Sequence, residues 1–359
     1  MPCYKILPNR VWRTYRGGRL LDALSLKANA VDDHFPEDWI GSTVRAVNVG
    51  REELVEGYTK VQDSQGNTSL LADILSTNPA EMLGTEHVRE FGSQLGFLVK
   101  FLDAGIRLHI QAHPDRAFSR LHLQSNAGKA EGYYILATRE EEPDPCVYLG
   151  FKQPVTRERL QQLVEDQNID SMLELLHKIT VRPGDCFFVP GGFPHAIGAG
   201  VFMIEIMEAS DFVVRLEFER ATYLLPESAR FMGRDSGFAM DMLDFTVLDE
   251  ATLRQRCFPM AVPVKDKIGD YSLLDKRLTD RFSLRLVEID AAYRLCEQSC
   301  SFVIVVQGSV QLSIMADHIS FVASTLDKFF VSAGTTVCIT AGSRGSARIA
   351  LVGPPAGSV

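Results

Sequence analysis

A stretch near the C-terminal end of this chain echoes one near its middle, and no other feature constrains the fold as strongly. Asp327-Lys328-Phe329-Phe330-Val331-Ser332-Ala333-Gly334-Thr335-Thr336-Val337-Cys338-Ile339 follows the pattern of Asp185-Cys186-Phe187-Phe188-Val189-Pro190-Gly191-Gly192-Phe193-Pro194-His195-Ala196-Ile197. Each copy runs from an apolar segment through a turn of small residues into a second apolar segment, the outline of two joined strands. One β unit built twice accounts for the echo. The copies differ at one telling place, where His195 of the first falls opposite Val337 of the second. His318, the only histidine of the C-terminal third, lies outside the motif.

The residues around His195 have partners earlier in the chain. In GIRLHIQAHPDRAFSRLHLQSNAGKAE, residues 105 to 131, Gln111 and His113 stand two apart in an apolar run. Strand side chains two apart share a face, so both can point at one centre. Lys129 and Glu131 repeat the spacing on what reads as the next strand, and His195 follows the rigid turn Pro190 to Pro194. A single histidine on an apolar strand is more often a satisfied core residue. Gln111, His113, Glu131 and His195 together form a donor set suited to one divalent ion.

These stretches carry a family resemblance. Gly184, five residues, Pro190-x-Gly192, two residues and His195 resemble the second motif of the cupins, which are small jelly-roll barrels. Gly105, five residues and Gln111-x-His113 resemble the first cupin motif, with Gln in place of its leading His. IQAHPD, GKAE and VPGGFPHAIG taken together are similar to the type I mannose-6-phosphate isomerases, and LGFLVKFLDAG (95–105) and EASDFVVRLEF (208–218) extend the likeness. The resemblance is strong over residues 95 to 220. It implies an aldose–ketose isomerase acting on a sugar or sugar phosphate, with one metal ion per chain, zinc being the expected one, held by Gln111, His113, Glu131 and His195. Glu205 and Arg215 match an acid and an arginine that line the substrate cavity in that family, and Lys100 sits where the family has a lysine near the substrate. Glu37-x-Trp39-x-x-Ser42 resembles an early segment near the active-site rim.

Two candidates compete for the base. Glu205 is favoured because desolvation raises a carboxylate toward working pH, and Lys129 is the alternative, able to move protons between oxygens. Arg215, always charged, suits enediolate or phosphate oxygens better than proton transfer. The chain departs from the family at His109, where the isomerases usually have Ser two positions before the Gln. His109 is in register with Gln111 and His113 and can contact substrate, serve as an extra ligand, or replace the hydroxyl. Two other functions stay open: a cupin oxygenase, which needs a redox metal with open positions, and a non-catalytic sugar-binding cupin.

Composition excludes other classes. The chain has 359 residues, 46% hydrophobic and 23% charged, as expected of a globular protein with a sizeable core. A net charge of -9 opposes binding to nucleic acid or an anionic membrane surface. No apolar run is long enough to span a membrane and no secretory signal is visible, so a cytoplasmic location is expected. The seven scattered cysteines then read as reduced thiols.

The expected architecture is mainly β: two cupin-type jelly-roll barrels with a small helical insertion. Residues 1–220 form the metal-binding barrel, with helical segments at about 68–93 and 156–179. Residues 221–255 link it to a degenerate barrel, 256–359, that has no metal ligands. The oligomeric state has no signal in the sequence.

Overall fold

The computed structural model describes residues 2–316, 319–342 and 345–355; His318 lies outside them. The chain is mainly β, and its principal sheets stack as four layers. The outermost on one side is a five-stranded sheet in the order Leu176–Thr180, Cys146–Phe151, His195–Ile197, Gln111–Ala112 and Val214–Arg215. It packs on a six-stranded sheet: Cys186–Val189, Glu131–Thr138, Val201–Glu208, Phe97–Asp103, Glu37–Gly41 and Arg10–Val11. Leu102, Tyr133, Ile135, Leu149, Phe187 and Met203 fill the space between them.

Strand alternation decides which residues go where. In Val201–Glu208, Met203 faces this first core while Phe202, Ile204 and Ile206 face a second core on the other side of the sheet. Phe97, Val99 and Phe101 of the neighbouring strand join that second core, which leaves Lys100 on the inner face beside Glu205, its cross-strand partner. The second core is closed by a nine-stranded sheet that contributes Phe282, Phe302 and Phe330. Phe97 meets Phe302 edge-on at 5.9 Å and 82°, and Phe302 meets Phe330 at 5.4 Å, aromatic geometries that add to burial. A four-stranded sheet covers the far side.

The echo in the sequence corresponds to a repeated topology. The six-stranded sheet contains the run Cys186–Val189, Glu131–Thr138, Val201–Glu208, Phe97–Asp103, Glu37–Gly41. The nine-stranded sheet contains Lys328–Val331, Ser301–Gln307, Ala347–Gly353, Ser283–Ile289, Asp270–Leu274 in the matching order. The outer sheets correspond in the same way, His195–Ile197 matching Val337–Ala341. Registers match as well: Val189 pairs with Glu131 and Val331 with Ser301, while Glu205 pairs with Lys100 and Leu351 with Arg285.

Three findings refine the expected division of the chain. The first strand, Cys3–Ile6, pairs with Lys328–Val331, so the N-terminal segment completes the C-terminal sheet. A buried ion pair, Lys328 Nζ to Asp38 Oδ2 at 2.5 Å, ties the two halves further. The segment expected as a linker, 221–255, holds the helices Glu227–Arg230 and Ser236–Met242 and most of Glu250–Cys257. Its Met240, Met242 and Leu253 are buried against the first half, because an apolar helix stripe needs a surface to cover it. Within 68–93 the helices are Leu71–Thr77, Pro79–Leu83 and Thr85–Phe91, after a short strand Thr68–Leu70. Within 156–179 they are Arg157–Glu165 and Ile169–Glu174, capped by Thr156 and Asn168. Leu176–Thr180 is a strand and not the end of a helix: it pairs with Cys146–Phe151, which its β-branched Ile179 and Thr180 favour.

Phe302→Ala is expected to destabilise the protein by about 3–5 kcal/mol, because it opens a cavity in the core shared by the two inner sheets. Urea unfolding measures this, followed by tryptophan fluorescence, which reports the first half through Trp12 and Trp39, and by far-UV circular dichroism, which reports the strands of both; the two signals should shift to lower urea together.

Candidate metal centre and active-site pocket

The three most closely gathered ligand residues come from both sheets of the first half. Gln111 and Ala112 form a two-residue strand that His113 immediately follows, and His195 opens the neighbouring strand, paired with Gln111. Glu131 opens its strand in the six-stranded sheet, opposite Val189. The turn between Val189 and His195 brings these together. Gly192, at a φ of +87° that disfavours other residues, donates its N–H to the His113 carbonyl at 2.7 Å. At Gly191 a Cβ would lie 2.7 Å from Asp115 Cα, so only glycine lets the turn rest against the chain just beyond His113. Asp115 in turn caps the helix Arg116–His122 through the Phe118 N–H at 2.7 Å, which directs the chain away from the site.

The donor atoms of His113, Glu131 and His195 lie within 4.8 Å of one another, and all three residues are buried. Each imidazole is oriented by its Nδ1, which donates to the Phe212 carbonyl at 2.7 Å from His113 and to the Phe193 carbonyl at 2.9 Å from His195. Both Nε2 lone pairs are therefore turned inward, 3.1 Å and 3.4 Å from the oxygens of Glu131. Burial drives the His113 pKa down to about 4 and also lowers that of His195, so both rings are neutral near pH 7. Burial alone would raise Glu131, but His113 and Lys129 outweigh it and hold the carboxyl well below its ordinary range.

Glu131 Oε1 is buried with no hydrogen bond of good geometry, although Lys129 Nζ lies 3.0 Å away. Tyr133 donates to the other oxygen. The Gln111 amide ends 3.4 Å from His195 Nε2, and because the two ends of a carboxamide have the same shape, a half-turn puts its oxygen there. Inward lone pairs, an orphaned carboxylate oxygen and a reachable amide oxygen fit a divalent cation. His109 is not among the three clustered donors, so the extra-ligand possibility is not borne out.

Beside this cluster the pocket is lined by Arg13, Tyr15, Glu37, Lys100, His109, Lys129, Glu205, Asp211 and Arg215. Glu37 is saturated: it accepts from Arg13 Nε at 2.8 Å, Tyr15 Oη at 2.6 Å, Trp39 Nε1 at 2.7 Å and Lys100 Nζ at 2.9 Å. Burial pushes its pKa up, yet Arg13 and Lys100 bring it far below normal. Glu205 is the opposite case. Burial dominates and lifts it to about 8, with Lys100 opposing and Glu131 adding to the rise. Its Oε2 lies 3.2 Å from Lys100 Nζ but without hydrogen-bond alignment. Of the two glutamates lining the pocket, one is thus committed and the other is free to exchange a proton.

Arg215 pairs with Gln111 across strands, donates to the Ala229 carbonyl at 2.9 Å, and lines both this pocket and an outer chamber with Val47, Tyr223 and Met232. Its pKa falls to about 10, chiefly through burial, so it stays charged at neutral pH. For His109, burial and then Arg215 lower the pKa to about 3. Ser42 turns toward the Val44 backbone and does not line the pocket. Arg13, Tyr15, Tyr133 and Asp211 are the residues that sequence reasoning did not single out. Of these only Tyr133 had a signal, two positions beyond Glu131 on one strand face.

Comparison with known proteins agrees with this geometry. Residues 52–142 match the family model described as phosphomannose isomerase type I, catalytic domain. The chain is 32% identical over 185 residues to the Bacillus subtilis protein named "Probable mannose-6-phosphate isomerase GmuF", covering 50% of this chain and 56% of that one. It is 35% identical over 147 residues to the mannose-6-phosphate isomerase of Streptococcus mutans, covering 40% and 44%. The chain thus spans about half the length of the curated relatives it matches. The mannose 6-phosphate isomerase structure from Bacillus subtilis superposes with a TM-score of 0.74 at 18% identity, over 98% of this chain and 99% of that one. A mutant form of phosphomannose isomerase from Salmonella typhimurium gives 0.73 at 18%, over 99% and 100%. At such identity these two structures establish the shared fold, and the sequence matches show that about half of the chain, including the 52–142 segment, is similar to the type I phosphomannose isomerases.

Proposed function

We propose that this protein is a metal-dependent aldose–ketose isomerase that interconverts mannose 6-phosphate and fructose 6-phosphate through an enediol. The observation that carries the reading is a pocket that reaches the His113–Glu131–His195 cluster through His113 and is also lined by Glu205, a buried carboxylate whose pKa is lifted toward neutrality. The names of the matched relatives supply the substrate. The strand-for-strand match of the two halves supports reading them as two cupin-type jelly-roll barrels, about 1–220 with the metal site and 256–359 structural.

The reaction moves a proton between adjacent carbons and a second proton between their oxygens. A divalent ion, zinc being the expected one, held by Gln111, His113, Glu131 and His195, supplies Lewis acidity toward those oxygens. Ionised Glu205 takes the proton from the carbon next to the carbonyl and returns it to the neighbouring carbon. Its raised pKa makes it a stronger base than a solvated carboxylate. Lys100, fixed to Glu37, keeps Glu205 from drifting higher still. Lys129, 3.0 Å from Glu131, is placed to pass the second proton between the sugar oxygens. Arg215, charged and at the pocket wall, offsets the negative charge that develops on them. A cupin oxygenase is disfavoured because His109 stands outside the donor cluster and Gln111 reaches into it. A cytoplasmic location suits a sugar-phosphate substrate and the seven free thiols.

A coupled assay of mannose 6-phosphate conversion, before and after chelation, tests the function: activity should vanish with the metal and return on adding a divalent ion. Chelation that leaves the rate unchanged overturns the reading.

His195→Ala should lose the bound ion, while Glu205→Gln should keep about one ion per chain and lose roughly 10²–10⁴-fold in kcat. Metal analysis alongside kinetics checks both.

Because Glu205 acts ionised, kcat/KM should rise with pH through about 8 and level above it. In Lys100→Met, which removes the charge that favours the carboxylate, this limb should move to higher pH.

A further inference from the structure

One buried group faces the pocket with nothing to bond. His109 is 2% exposed, and its Nε2 has no hydrogen-bond partner. The other ring nitrogen, Nδ1, lies 3.0 Å from the Glu217 carbonyl oxygen, which can only accept. The hydrogen is therefore on Nδ1, and Nε2 of the neutral ring presents a lone pair. This tautomer is held firmly. The Glu217 carboxylate takes Arg107 Nη1 and Nη2 at 2.6 Å and 2.8 Å and the Ile110 N–H at 3.1 Å, so the segment carrying its carbonyl is pinned to the segment carrying His109.

The ring lines the pocket with Gln111, Lys100, Glu205 and Arg215. It stands outside the donor cluster of His113, Glu131 and His195. We propose that His109 Nε2 determines substrate specificity by accepting a hydrogen bond from a hydroxyl of the bound sugar. The proposal rests on the isomerase reading and extends it. The serine usual at this position in the family both donates and accepts, whereas an imidazole in this tautomer only accepts from a ligand. A phosphate dianion offers acceptors alone, so this wall meets the hydroxyl-bearing carbons and the phosphate lies elsewhere in the pocket. A buried acceptor left unpaired is costly, which makes the wall selective against a sugar lacking that hydroxyl.

Two measurements on the metal-loaded protein test this. With ¹⁵N-labelled histidine, the His109 Nε2 resonance should move upfield on adding mannitol 6-phosphate, which carries the hydroxyls but cannot be isomerised. In kinetics, one member of a 3-deoxy and 4-deoxy mannose 6-phosphate pair should lose ~10-fold or more in kcat/KM with the unaltered protein. His109→Ala should lose a similar factor with the parent sugar and no further with that analogue, and His109→Gln, which restores an acceptor, should recover part of it. An Nε2 unmoved by saturating mannitol 6-phosphate, or deoxy and mutant losses that simply multiply, overturns the proposal. Turnover with an unmoved Nε2 sinks the His109 assignment alone; a moved Nε2 without turnover sinks the isomerase reading alone.

Discussion

Lone pairs that face one another in a dry interior need a cation between them. His113 and His195 each spend their one N–H on a backbone carbonyl, which turns both Nε2 atoms toward the Glu131 carboxylate. Nothing in that arrangement is favourable without positive charge, because two neutral acceptors and an anion repel at 3.1–3.4 Å. The cation within reach among the described residues is Lys129, and a divalent ion would satisfy the same oxygens and nitrogens more completely. The rest of the first half serves this constraint. The glycine turn clips His195's strand to His113, and the cross-strand pairs fix Glu131 opposite Val189.

The second half keeps the strand order of the first without its clustered donors among the described residues. By strand register, Gln111 corresponds to Leu295, Glu131 to Ser301, His195 to Val337 and Glu205 to Leu351. Three donors and the proposed base are thus replaced by three aliphatic side chains and one hydroxyl, a set with no imidazole, amide or carboxylate to gather a divalent ion or take a proton from carbon. Glu37 and Lys100 have a different fate. Their counterparts are Asp270 and Arg285, again an acid and a base, 3.6 Å apart. A buried pair retained in both copies belongs to the architecture, where removing one partner would leave an unpaired charge. Lys100 is then first a structural counterion, and its effect on the proposed chemistry would run through the protonation of Glu205.

Legibility followed sequence distance. Gln111 with His113, and Glu131 with Tyr133, stand two apart, and strand alternation alone puts each pair on one face. The turn before His195 announced itself through Pro and Gly, and the repeat exposed the duplication. Arg13 with Asp211 could not be seen, because an ion pair between residues 198 positions apart leaves no periodicity behind. The first strand's pairing with Lys328–Val331 was hidden for the same reason: four residues carry too little pattern to name a partner sheet. Residues 221–255 misled because their helices are short and lack strand patterning, and only the surface they cover reveals them as part of the packed first half.

The two glutamates of the pocket show why residue identity alone could not assign roles. Glu37 and Glu205 are both buried, both within reach of Lys100, and both on inner faces of neighbouring segments. They differ in how many donors surround them. Glu37 has four, two of them cationic, and stays ionised far into acid; Glu205 has one misaligned ammonium and a like charge nearby, and holds its proton toward neutral pH. A base must give up as readily as it takes, so the under-bonded carboxylate is the one proposed as the base and the saturated one is suited to be the anchor. That contrast comes from the count of hydrogen bonds at each oxygen, a property of the folded neighbourhood that neither glutamate carries by itself.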